Sequence, residues 1–217
     1  MRPSMLVSAV LVLTLARLAT AQEWIEFANR QDRFTCNFPT QPKITETIYK
    51  SQHEADLPAR IYSAAQGQSR FSVTVVDFNQ AQRILTEKAK LCPAGAEPCL
   101  GGAGDEGHWK ADIRGAIDYA AGQLMQRDAK ITSFVWNVVD MVEGRQLQLT
   151  NAADKSRTYA GIYMHENRLY IIEGTVPAGY PEPGLFQQSL GWLDEKGIGV
   201  RYRSYYSNGF PTPPRER

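Results

Sequence analysis

The residues best suited to chemistry are three histidines, three cysteines and one short acidic run. His53, His108 and His165 never fall in the H-x-x-x-H or H-E-x-x-H spacing that sets two imidazoles on one helical face for zinc. Asp105, Glu106 and His108, in the run Asp105-Glu106-Gly107-His108, could offer oxygen and nitrogen ligands to one metal ion. The same run also suits a helix N-terminus, where acids favour the dipole and Asp caps free amides. The capping reading outweighs the metal reading, and no cofactor is expected. His165-Glu166 reads as a solvated hairpin tip. No G-x-S-x-G or S-x-x-K nucleophile and no glycine-rich phosphate loop occurs. Gly101-Gly102-Ala103-Gly104 is followed by acids, the wrong charge for phosphate.

Cys92 and Cys99 close a short loop, CPAGAEPC, rich in proline and glycine. A bridge between them would contribute about 2.5 kcal/mol through loop entropy. Cys36 lies in Phe34-Thr35-Cys36-Asn37-Phe38, where alternation puts Phe34, Cys36 and Phe38 on one face. It reads as a buried free thiol acting as a small hydrophobe. A second candidate surface is Arg201-Tyr202-Arg203. Alternation gives the arginines one face and Tyr202 the other, as in a closing arm or a docking site for an acidic partner or glycan. The candidate binding surface is therefore His108, Arg201, Tyr202 and Arg203.

These residues belong to an exported chain by the pattern of its start. Arg2, the apolar run Met5 to Ala16 and Ala19-Thr20-Ala21 form the three parts of a signal peptide over residues 1–21. The expected localisation is periplasmic or secreted, with no stable membrane insertion after cleavage. Cleavage removes Arg2 and Arg17, leaving 22 basic against 23 acidic residues. A near-neutral chain has no electrostatic case for nucleic acid.

Strand signals run through Trp24–Phe27, Phe34–Phe38, Lys43–Lys50, Arg60–Ala65 and Phe71–Phe78. Asn79–Leu91 loses the period of two and suits a short helix. Cys92–Gly107 holds five glycines and two prolines and reads as an irregular insertion. Trp109 to Gln126 carries an apolar stripe at helical spacing. Four strands then follow: Ile131–Val139, Gly144–Ala152, Arg157–His165 and Arg168–Val176. Leu185 to Leu193 fits a short helix, and the proline-rich stretch 207–217 reads as a flexible tail. The expected fold is α+β, with one long helix and one short C-terminal helix packed on a central antiparallel sheet, as a single domain over 22–206.

Two stretches resemble the PsbP-like family. Arg33-Phe34-Thr35-Cys36-Asn37-Phe38-Pro39-Thr40-Gln41-Pro42 is similar to that family's opening strand and F-P-x-x-P motif. Asn167-Arg168-Leu169-Tyr170-Ile171-Ile172 with Phe186-Gln187-Gln188-Ser189-Leu190 is similar to its closing R-L-Y strand and F-x-x-S-F helix, with Leu190 in place of the aromatic. The resemblance covers about residues 24–195. It implies a central antiparallel sheet and a role in assisting larger assemblies, with no shared catalytic residues. The expected function is an exported, non-enzymatic binding or accessory module of the cell envelope, with a protein partner or small ligand. The alternative is a metal- or thiol-dependent envelope enzyme using Asp105, Glu106 and His108, or Cys36.

Overall fold

In the computed structural model, residues 24–93, 108–208 and 210–216 are described. The expected signal peptide and most of the irregular insertion lie outside them. The first strands are β1 (Ile25–Asn29), β2 (Phe34–Phe38), β3 (Lys43–Lys50), β4 (Asp56–Gln66) and β5 (Ser69–Asp77). A 3-10 turn at Phe78–Gln80 leads into α1 (Ala81–Ala89), and α2 spans Trp109–Met125. Four more strands are β6 (Ala129–Val139), β7 (Val142–Asn151), β8 (Arg157–His165) and β9 (Arg168–Val176). The single-turn α3 (Gly184–Gln187) precedes β10 (Gly191–Leu193) and β11 (Gly199–Val200).

A seven-stranded sheet has the order β3-β4-β5-β9-β8-β7-β6, antiparallel throughout. The chain builds β3 to β5, crosses through α1 and α2 to the far edge, and returns through β6 to β9 to close beside β5. Short hairpins hold this register. Asp140 and Met141, at φ 46° and 69°, form one turn, and Glu166 and Asn167, at φ 47° and 57°, form another. Positive φ at both central residues is what a two-residue hairpin needs to match strand twist.

Both faces of this sheet are buried. Leu147, Leu149, Ala160, Ile162, Leu169 and Ile171 pack against Ile113, Ala116, Ala120 and Leu124 of α2 and Leu85 of α1. Their alternate neighbours Tyr163, Tyr170 and Ile172 face the other way, onto Phe34, Phe38, Phe186 and Trp192. Each fully buried Leu, Ile or Phe among them contributes roughly 1.5–3 kcal/mol. The second face is covered by a four-stranded sheet, order β1-β2-β10-β11, that joins the two ends of the described chain.

This overturns the expected α+β fold. The described residues are mostly antiparallel β, 48% strand and 19% helix, in two sheets with short helices. The expected helix over Leu185–Leu193 is the main local cause. It stops after Gln187, and Gly191–Leu193 becomes a strand whose Trp192 pairs with Phe34 of β2. Gly191 allows that approach, since a Cβ there would meet Thr35 Oγ1 at 2.7 Å. The proline-rich stretch read as a tail folds back on the arm before it. Arg203 N–H donates to the Pro214 carbonyl at 2.9 Å, and Glu216 N–H to the Arg201 carbonyl at 2.8 Å. Among the described residues no helix is long and apolar enough to cross a membrane.

Candidate functional site

Cys36 sits where alternation puts it, on the inner face of β2, with no solvent exposure. Its Sγ lies 3.4 Å from Ser189 Oγ, and burial pushes the thiol up to about 12. The group stays protonated at neutral pH, so it lacks the thiolate a nucleophile needs. Cys92, just past α1, is disulfide-bonded, while Cys99 lies outside the described residues. Asp105 and Glu106 lie outside them too.

The four expected binding-surface residues do not form one surface. Tyr202 is fully buried in the core between the sheets, with its hydroxyl 2.7 Å from His165 Nε2. Arg201 is held by Asp140, its Nη2 2.7 Å from Oδ1. Arg203 is exposed. His108 belongs instead to the helical layer, at the start of α2. His165 also departs from the expected solvated tip: it is fully buried among Trp192, Tyr202 and Tyr206. The small sheet and the C-terminal arm, both remote in sequence, cover it. Burial first, and then the nearby Arg215, Arg33 and Arg168, lower it to about 4 against the pull of Glu166.

A polar cluster lies beneath α2. His53, in the turn after β3, stacks on His108 with ring centroids 4.1 Å apart and planes within 10°. One turn along α2, the Asp112 N–H donates to the His108 carbonyl at 2.8 Å. The Asp112 side chain is fully buried, and neither carboxylate oxygen accepts a hydrogen bond. The Tyr49 hydroxyl and Trp109 Nε1 are also buried without partners. Burial raises the Tyr49 phenol, helped by Tyr119 and Asp112. Burial and the facing His108 lower His53, with Lys88 adding to the shift and Asp112 opposing it. A buried carboxylate without donors costs several kcal/mol, the kind of cost that accumulates at working sites. Among the described residues no three of His, Cys, Asp or Glu are arranged to hold a metal ion. Parallel stacked imidazoles aim their lone pairs along parallel planes, not at one point. The cluster is not built as a metal cage.

No family model and no curated protein matches the chain.

A further unexplained surface feature among the described residues is the edge strand β6. Ile131, Phe134, Val135 and Trp136 are 41–49% exposed along it, and Tyr205, which meets Trp136 edge-to-face at 5.4 Å, is 54% exposed. Ile131, Phe134 and Trp136 stand opposite Leu149, Leu147 and Arg145 of β7, so they continue the helix-facing side of the sheet. α2 packs over β7, β8 and β9 and leaves that row uncovered. Sequence reasoning missed both features. Asp112 falls on the buried stripe of α2 beside Ile113, so helical spacing alone marks it as a buried acid. In β6 apolar residues occupy both alternation phases around Phe134-Val135-Trp136, a pattern that does not declare which side stays open.

Proposed function

We propose that this chain is an exported, non-enzymatic binding or accessory module of the cell envelope that docks a protein through the β6 edge. The observation that carries the reading is the exposed aromatic and aliphatic row on an edge strand, joined by Tyr205 from the C-terminal arm. An edge offers backbone donors and acceptors for strand addition, and alternate side chains supply selectivity. Aromatic residues are enriched at the energetic centre of such interfaces. The PsbP-like resemblance agrees with an assisting role. Cys36, buried and protonated, speaks against the thiol-dependent alternative.

The test is site-specific photo-crosslinking in cells. A photoreactive phenylalanine analogue replaces Trp136 in the full chain, and the envelope fraction is compared with the same probe at Gln68, in the exposed turn between β4 and β5. A discrete crosslinked species from position 136 and none from position 68 is expected. Equal labelling at both positions, or none at 136, would refute the docking surface. Recovery of the chain in the cytoplasm with Met1 retained would refute export.

A further inference from the structure

Resting on that docking reading, we infer that the occupant of the β6 edge is a second copy of this chain, paired antiparallel through β6 itself. Among the described residues β6 pairs only with β7, so one side of its eleven residues has no strand partner, with the Val138 N–H donating to Asn137 Oδ1 at 2.8 Å. Edge strands are normally guarded by lysine, proline or inward charge. Here nothing charged stands between Lys130 and Asp140.

The strand is complementary to itself. A two-fold axis perpendicular to the sheet must pass through a residue that faces its own copy, because only then do opposed side chains share a face. Centred on Val135, the pairing sets Phe134 opposite Trp136 of the second copy, twice. Ser133 then faces Asn137, so polar meets polar on the other side of the sheet. The bulge between Ile131 and Ser133 takes Thr132 out of register, which brings Ile131 opposite Val138. Ile131, Phe134, Trp136 and Val138 thus form one apolar row crossing the seam. Lys130 of each copy arrives at the strand end where the other copy's Asp140 is already held by Arg201, so the pairing rests on the apolar row rather than on end charges. Centred on Phe134 instead, Val135 would face Ser133 twice, apolar against polar, which disfavours that register.

The area is modest. The two half-exposed aromatics hide roughly 100 Å² each, and with Ile131 and Val138 each copy would bury roughly 300 Å² of side chain. With the backbone edge added, this approaches the lower bound of about 1,000 Å² for a specific interface. A dimer with a dissociation constant on the order of 10 μM is expected, in keeping with the small area.

Sedimentation velocity of the mature chain, from about 1 to 500 μM, should show a monomer–dimer equilibrium, a range chosen to bracket that constant. Val135→Lys sets two ammonium groups face to face across the axis and should leave only monomer, with unchanged circular dichroism because position 135 is half exposed. The register is read by oxidation. Val135→Cys places two Cα atoms roughly 4.5–5.5 Å apart, within disulfide reach, whereas Ser133→Cys places them roughly 13 Å apart. Val135→Cys should form a covalent dimer at least about tenfold faster. A chain monomeric throughout, or equal crosslinking at both positions, would overturn self-pairing. If the photoprobe at position 136 then captures a different protein, the docking reading stands and only the choice of occupant fails. If it captures nothing, both fail.

Discussion

Acid should destabilise this protein through one side chain, and the size of the effect follows from where His165 sits. Its ring is fully buried against Trp192, Tyr202 and Tyr206, and it titrates in the fold at about 4 rather than 6.5. The folded pKa is depressed, so the unfolded chain binds the proton first. Stability contributed by the neutral ring is therefore complete above about pH 6.5 and is lost as pH falls toward 4, at about 1.4 kcal/mol per pH unit. The whole effect is about 3 kcal/mol, a large share of the stability of a domain this size. The perturbation is His165→Gln, which keeps a polar group within reach of Tyr202 but cannot titrate. Urea unfolding of both proteins at pH 7.5, 6.0, 5.0 and 4.0 isolates the histidine, because carboxylate contributions cancel between them. The gap between wild type and variant should shrink or reverse by about 3 kcal/mol from pH 7.5 to 4.0. Parallel pH profiles would show that the ring is solvated or charged in the fold, and the reasoning would be wrong.

Three further outcomes follow from buried groups. Asp112→Leu should raise the unfolding free energy at pH 7 by about 1–3 kcal/mol, since it removes a buried carboxylate that has no donor; a loss of stability in the same urea melt would mean that the carboxylate finds a partner in solution. Asp32 accepts from Arg60 Nε at 2.6 Å and from the Tyr62 hydroxyl at 2.5 Å, tying the β1–β2 hairpin to the large sheet. Asp32→Ala strands both donors and should cost about 3 kcal/mol, with Asp32→Asn recovering part of it. A Cβ at Gly144 would meet the Ile162 carbonyl oxygen and the Tyr163 ring, each at 2.3 Å. Gly144→Ala should therefore lower stability by about 3 kcal/mol in a thermal melt, while Gly122→Ala, with nothing within 4 Å, should not.

Much of the local structure is written in short-range pattern. Arg157–His165 and Arg168–Val176 were bounded by turn residues and are strands β8 and β9 over those same residues. Phe34, Cys36 and Phe38 alternate inward as period two requires, and the apolar stripe from Trp109 becomes α2. These features depend on dihedral preference and on which neighbours share a face, both carried by residues a few positions apart.

What covers each face was decided only by the tertiary structure. β8 is buried at eight of its nine residues, the signature of a sheet covered on both sides, yet its strands alone do not say by what. The answer is a second sheet assembled from β1 and β2 at one end of the described chain and β10 and β11 at the other. That closure joins segments more than 150 residues apart, and it turns a proposed C-terminal helix into a strand. It also buries His165 and Tyr202, which pattern alone assigned to the surface. The same long-range arrangement leaves the β6 row open, because α2 packs over β7 to β9. Propensity and periodicity act within a few residues, whereas burial and exposure are settled by which distant segment arrives.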